Sequence, residues 1–269
     1  MVRKVPLLFV ILGLIGFSAL YIPVAVMMAY SFNAGKLSSV WAGFSTRWYG
    51  ALWQNEQLLS ALSKSLIIAA VAATISTIFG ILIAISFVRM GQFRGRLLLS
   101  ALASAPLVIP EVVMGLSLLL LFIAMETLLG WPSGRGVDTI IIAHATFGMC
   151  FAAVVIQARL RQFDISLEEA AMDLGARQPF IFFTITLPLI LPAIISAWLL
   201  TFTLSFDDLV IASFVSGPGS STLPIVIFSK VRLGVTPEIN AIATLMIAIV
   251  ALGVIGGAVI MRKALSAEK

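Results

Sequence analysis

The chain has 269 residues, 61% hydrophobic and only 11% charged, with a mean hydropathy of +1.12. Soluble domains run near 45–50% apolar and about 25% charged, so this composition excludes a soluble fold and defines an integral membrane protein. One cysteine and one histidine exclude an internal disulfide and a multi-cysteine or multi-histidine metal site, and the net charge of +5 marks no nucleic-acid surface because the basic residues sit at the ends of apolar segments.

Arg3 and Lys4 precede an uncharged run over residues 6–32. It is longer than the roughly 7–15 residue core of a signal peptide and lacks a clear small-x-small cleavage site before its end, so it reads as a retained first span. Residues 33–64 are polar and aromatic, with Trp41, Trp48, Tyr49 and Trp53 together, as expected where amphipathic rings settle at a membrane surface. This predicts an extracytoplasmic loop with a short interfacial helix. The second span covers 65–88 and ends in Arg89, Arg94 and Arg96 with no acidic residue between them, the mark of a cytoplasmic turn.

A third span over 97–125 is interrupted by Pro106, Pro110 and Glu111. The fourth, 139–158, follows a short loop containing Trp131, Pro132 and Gly134, and after a polar loop over 159–179 a fifth span covers 180–206. The last covers 239–261 and is closed by Arg262 and Lys263. Residues 209–229 are also uncharged, but Ser216-Gly217-Pro218-Gly219 in their middle would leave backbone groups unpaired against lipid, so a re-entrant or surface loop is predicted. Six spans with both termini in the cytoplasm leave only Lys36, Arg47, Lys64, Arg135, Lys230 and Arg232 outside, out of 17 basic residues. The whole chain, 1–269, reads as one all-α membrane domain.

Catalytic chemistry is missing. There is no Gly-x-x-x-x-Gly-Lys-Ser/Thr loop to cradle phosphates, and no nucleophile motif surrounds His144, which reads as a hydrogen-bonded packing residue. Cys150 reads as a small buried apolar side chain. Glu111 stands out because an ionisable group inside a span is costly and flanking prolines open the helix around it. It either lines a transport path or pairs with Arg89, Arg94 or Arg96. Asp207 and Asp208 follow the fifth span directly; each singly could stop the helix and pair with Lys230 or Arg232, while together they suit a cationic substrate.

The loop before the fifth span is the most patterned stretch. Ser166 is placed to cap a helix with Glu169 reaching back as its capping-box partner, Gly175 to end it in the left-handed conformation, and Pro179 to open the next helix. Leu167, Ala170, Ala171 and Leu174 form one apolar stripe, while Glu168, Asp173 and Arg177 point elsewhere. Two helical turns do not hold themselves together in water, so the stripe must dock on something.

The pattern Glu169-Ala170-Ala171, three residues, Gly175, nine residues, Ile185-x-Leu187-Pro188 resembles the cytoplasmic signature of permease subunits of bacterial ABC importers, with every fixed position met. Residues 202–218, reading from Phe202 through Asp207-Asp208 to Gly217-Pro218, and the stretch Ala105-Pro106-Leu107-Val108-Ile109-Pro110-Glu111 resemble the polyamine branch of these permeases. The resemblance implies a MetI-like fold of six transmembrane helices with a cytoplasmic coupling helix that sits in a groove of an ATPase subunit. Leu167, Glu169, Ala170, Ala171, Asp173, Leu174 and Gly175 would be its coupling residues, and Asp207, Asp208 and Glu111 the substrate path. It further implies a second, different permease, two cytoplasmic ATPase subunits that bind the ATP and Mg, a periplasmic polyamine-binding protein, and no cofactor in this chain. The expected substrate is putrescine, with spermidine a near neighbour and another cation or an amino acid as alternatives. A stand-alone channel or secondary carrier has no use for the signature loop.

Overall fold

The computed structural model describes residues 7–35, 40–234 and 236–267, and it is nearly all helical. The helices are α1 (Leu7–Tyr30), α2 (Arg47–Leu52), α3 (Glu56–Arg89), α4 (Arg96–Val108), α5 (Glu111–Leu129), α6 (Val137–Gln162), α7 (Ser166–Asp173), α8 (Gln178–Ile181), α9 (Leu187–Phe206), α10 (Val210–Val215), α11 (Leu223–Leu233) and α12 (Pro237–Ala267). A π-helical turn, Phe182–Thr186, joins α8 to α9. Among the described residues, five helical stretches are long and apolar enough to cross a bilayer, one of them the continuous Gln178–Phe206. The sixth expected span, 239–261, lies within the 31 residues of α12.

The departures from the expected boundaries have local causes. The third expected span is two helices, because Pro110 disfavours helical backbone at Ile109, which is extended at φ −72°, ψ 131°. Pro106 does not break α4. The second expected span starts nine residues early, at Glu56, where the Asn55 side chain accepts the Leu58 N–H at 3.1 Å and so nucleates α3 outside the apolar run. The expected interfacial helix is α2.

The chain forms two compact units. One comprises the residues up to Leu59 and those from Ile227 onward, where α12 packs on α1 and α2. Its polar centre is the fully buried Asn33, whose side-chain oxygen accepts the N–H groups of Gly35 and Ala42 and whose amide donates to Val40. Glu238 there accepts from Asn55 at 2.6 Å and pairs with Lys230 at 3.5 Å.

The other unit, Ser60–Val226, is built around α6. Without a hydrophobic drive between helices in lipid, close packing of small residues supplies the association. A Cβ on Gly148 would stand 2.5 Å from the Ser76 hydroxyl, and one on Gly80 would stand 2.6 Å from the Ala152 methyl and 2.9 Å from the Ala153 backbone nitrogen. The seam is sealed by the Ser76 hydroxyl, which donates to the Ala145 carbonyl at 3.2 Å.

The segment expected as a re-entrant or surface loop, 209–229, is largely helical: α10 is wedged between α5 and α6, followed by a turn around Pro218 and then α11. Phe214 lies so close to Gly115 that a Cβ there would fall 2.7 Å from its ring. At the end of α10, the Val215 carbonyl accepts from Thr139 at 2.8 Å and the Phe214 carbonyl from Arg135 at 3.3 Å. Replacing Gly80 or Gly148 by valine is expected to cost about 1–3 kcal/mol by overpacking, seen as a lower melting temperature of the purified protein. The same change at Gly13, where a Cβ would meet nothing within 4 Å, is the control.

Candidate functional site

The patterned loop folds as a short helix ended by a left-handed glycine. Gly175 has φ +83°, its N–H donates to the Met172 carbonyl at 2.9 Å, and the Ala176 N–H reaches back to Ala171 at 3.0 Å, the paired bonds of a Schellman ending. Arg177 precedes α8, and Pro179 stands in its first turn as expected. The start differs from the expected capping box. Ile165 is the N-cap residue without a side-chain bond, and the Asp164 carboxylate accepts the Ser166 N–H at 3.0 Å. The chain already turns at Asp164 and Ile165, whose carbonyls accept from Leu167 and Glu168, so Ser166 lies inside the first turn. Bonds from the Ser166 N–H and hydroxyl hold the exposed Asp164 below the usual carboxylate range.

None of α7 is buried. Leu174 is 89% exposed and Leu167 49%, so these leucines of the apolar stripe are not covered by the described residues. Glu169, Ala170 and Asp173 are exposed with it, and Ala171 is half-buried.

The side chain of α7 that turns inward is Glu168. One of its oxygens meets Arg89 at 3.0 Å and accepts the Thr186 hydroxyl at 2.6 Å. Arg89 ends α3 and also lies over the Phe163 ring at 5.4 Å. Thr186 closes the π-helical turn and is 4% exposed. That turn is wider because Pro188 has no N–H to return to the carbonyl four residues earlier, and the Leu187 N–H bonds Phe182 five residues back. One carboxylate thus ties the short helix to the ends of two long ones. Beside it opens a largely apolar cavity of about 610 Å³ lined by Ile81, Ile85, Leu160, Phe182 and Leu187.

The second cluster lies where α9 gives way to α10, and it separates the two carboxylates that the sequence sets side by side. Asp208 is inward: its oxygens accept the Ala212 and Ile211 N–H groups at 2.7 and 3.3 Å, and one meets His144 Nε2 at 3.1 Å. His144 Nδ1 lies 2.7 Å from the Ser205 hydroxyl. Asp207 is outward and exposed, without an ion-pair partner among the described residues. Partial desolvation by its neighbours first, opposed by its own backbone N–H and then reinforced by the adjacent Asp208 charge, holds the exposed Asp207 above the usual carboxylate range. Lys230, considered as a partner for this pair, is bonded to Glu238.

Glu111 is the first residue of α5, exposed, directly after the extended Ile109–Pro110 link. Arg89 belongs to Glu168, and Arg96 donates to the backbone carbonyls of Phe87 and Gly91 at the end of α3, so neither pairs with Glu111. Glu168, Arg89, Thr186, His144 and Ser205 are the residues that sequence reasoning did not place in these clusters. Their partners lie 18 to 79 residues apart, beyond any local pattern.

These features belong to a helical membrane permease whose exposed loop helix is anchored to its spans. Residues 76–265 match the binding-protein-dependent transport system inner membrane component family, and the chain belongs to it. It is a transport subunit and not an enzyme. The chain is 56% identical, over 92% of its length and 87% of that protein, to the putrescine transport system permease protein PotI of Escherichia coli (strain K12). It is 39% identical, over 91% of its length and 90% of that protein, to the spermidine/putrescine transport system permease protein PotC of the same strain. Among solved structures it shares its fold with a bacterial alginate ABC transporter (TM-score 0.70, 18% identity, 94% of this chain and 92% of that one). The MetNI methionine ABC transporter also matches (TM-score 0.59, 18% identity, 78% and 94%).

Arg89→Met and Glu168→Gln combined in a double-mutant cycle are expected to show a coupling energy of about 0.5–3 kcal/mol, the range for residues in direct contact. It is read from denaturant or thermal unfolding in detergent. Additive effects would remove Glu168 from its place as the link.

Proposed function

We propose that this chain is one permease subunit of an ATP-driven importer of a polyamine, putrescine foremost. It pairs with a second permease, with two cytoplasmic ATPase subunits that bind ATP and Mg, and with a periplasmic polyamine-binding protein. In this reading six spans cross the bacterial inner membrane with both termini in the cytoplasm, and the chain holds no cofactor of its own.

The observation that carries the reading is α7. Its stripe is left exposed by the described residues while its inward carboxylate joins the end of α3 to the π-helical turn before α9. A helix so placed can transmit an ATPase movement to two spans at once. Leu167, Glu169, Ala170, Ala171, Asp173, Leu174 and Gly175 form the docking face and its turn. The similarity to a putrescine permease and to spermidine/putrescine permeases supports a polyamine substrate. Asp207, exposed and without a cationic partner in the described residues, suits an ammonium group at the periplasmic end of the path, and Glu111 stands at a helix opening that suits a route.

Two measurements test it. Gly175→Val places a β-branched residue at φ +83°. It is expected to abolish uptake of labelled putrescine and substrate-stimulated ATP hydrolysis while the subunit still inserts. Normal uptake with the ATPase attached would reject the coupling role.

Asp207→Asn is expected to lower putrescine uptake with assembly intact. A carboxyl group whose pKa is raised loses its charge early as the pH falls. Wild-type uptake should therefore decline on mild acidification at a higher pH than an ordinary carboxylate gives, and the Asp207→Asn profile should lack that step. Superimposable profiles would remove Asp207 from the path.

A further inference from the structure

The buried cluster of His144, Ser205 and Asp208 does nothing in the reading above, yet it is a connected polar network joining α6, α9 and α10. His144 is 4% exposed and Ser205 9%, and the three residues come from α6, the last turn of α9 and the link into α10. A carboxylate only accepts, so His144 Nε2 carries the proton shared with Asp208 across 3.1 Å. Nδ1 meets the Ser205 hydroxyl at 2.7 Å, a group able to donate or accept. On its other side Asp208 takes the first N–H groups of α10. A carboxylate filled from both sides is withdrawn from any ligand, while its neighbour Asp207 stays exposed.

We infer that His144 is a positioning residue that sets substrate preference: by holding Asp208 inward it leaves the path one carboxylate at this point instead of two. The inference rests on the importer reading. One free carboxylate is matched to a single ammonium group at a time, whereas two adjacent free carboxylates favour a substrate with more positive charge. In His144→Leu, Asp208 faces an apolar side chain that offers no donor. It turns outward toward Asp207, where a cation can neutralise it.

The test is the ratio of labelled putrescine to labelled spermidine uptake by the assembled transporter in proteoliposomes, with its binding protein in excess. Loss of folding or assembly lowers both uptakes together and leaves the ratio alone, and the binding protein's own preference cancels between variants. His144→Leu is expected to shift the ratio toward spermidine on the order of fivefold, since one further charge contact near 4 Å in water is about 1 kcal/mol. His144→Gln, whose amide can still donate to Asp208, should return the ratio most of the way. Adding Asp208→Asn to His144→Leu should abolish the shift.

If His144→Leu does not assemble, Ser205→Ala, which removes only the second support of the ring, is expected to shift the ratio in the same direction by less. An unmoved ratio in whichever of these two variants assembles, or a shift that survives Asp208→Asn, overturns the role of His144. Wild-type vesicles that take up neither polyamine reject instead the importer reading beneath it.

Discussion

Buried backbone groups need hydrogen-bond partners, and that constraint governs how α10 is built. A six-residue helix buried among spans exposes unpaired N–H groups at one end and carbonyls at the other, each worth several kcal/mol if left bare in hydrocarbon. Here side chains fill both ends. Asp208 takes two N–H groups at the start, and Thr139 and Arg135 take two carbonyls at the finish. The donors come from the first turn of α6 and the loop before it, so the position of α10 is set by α6. That helix in turn packs closely on α3 through the glycine and alanine seam. A short buried helix can therefore have both ends satisfied because the helices around it place the hydrogen-bonding partners.

The same economy appears at the signature loop. An eight-residue helix is too short to persist alone, and its caps and Schellman turn only define where it starts and stops. Its inward attachment is one carboxylate shared by a guanidinium and a hydroxyl, both in the last or first turn of a long helix. A charged hydrogen bond of this kind is directional as well as strong, so it fixes α7 in one geometry against the end of α3 and the start of α9. The π-helical turn at Phe182–Thr186 aids this, because the widened backbone turns Thr186 toward Glu168 just before the run of α9 begins.

Much of this was legible in the sequence. Hydropathy placed the long helices, and proline and glycine placed the breaks at Ile109–Pro110, after α7 and around Pro218, because these residues act through their own backbone geometry. What was not legible depended on side chains meeting across the bundle. Glu168 lies on the polar side of a helical wheel and reads as solvent-facing, until the fold brings Arg89, 79 residues earlier, beside it. Ser166 has the right spacing for a capping box, yet the backbone begins to turn two residues sooner and Asp164 takes that place. Local spacing states which bonds are possible, and tertiary packing chooses among them.

The adjacent aspartates show the limit most clearly, because identical neighbours in sequence have opposite fates in the structure. Asp207 closes α9 and Asp208 opens α10, and the change of direction between these helices turns one carboxylate outward and the other into the network of His144. By charge alone the two acids are equivalent, each able to end a helix and both together suited to a cation. The geometry leaves one of them to the solvent side and spends the other on holding a buried helix end. Of two neighbouring acids, then, one side chain is exposed and the other is engaged on both sides, so the number of acidic residues in a stretch of sequence is an upper bound on the carboxylates it leaves unengaged.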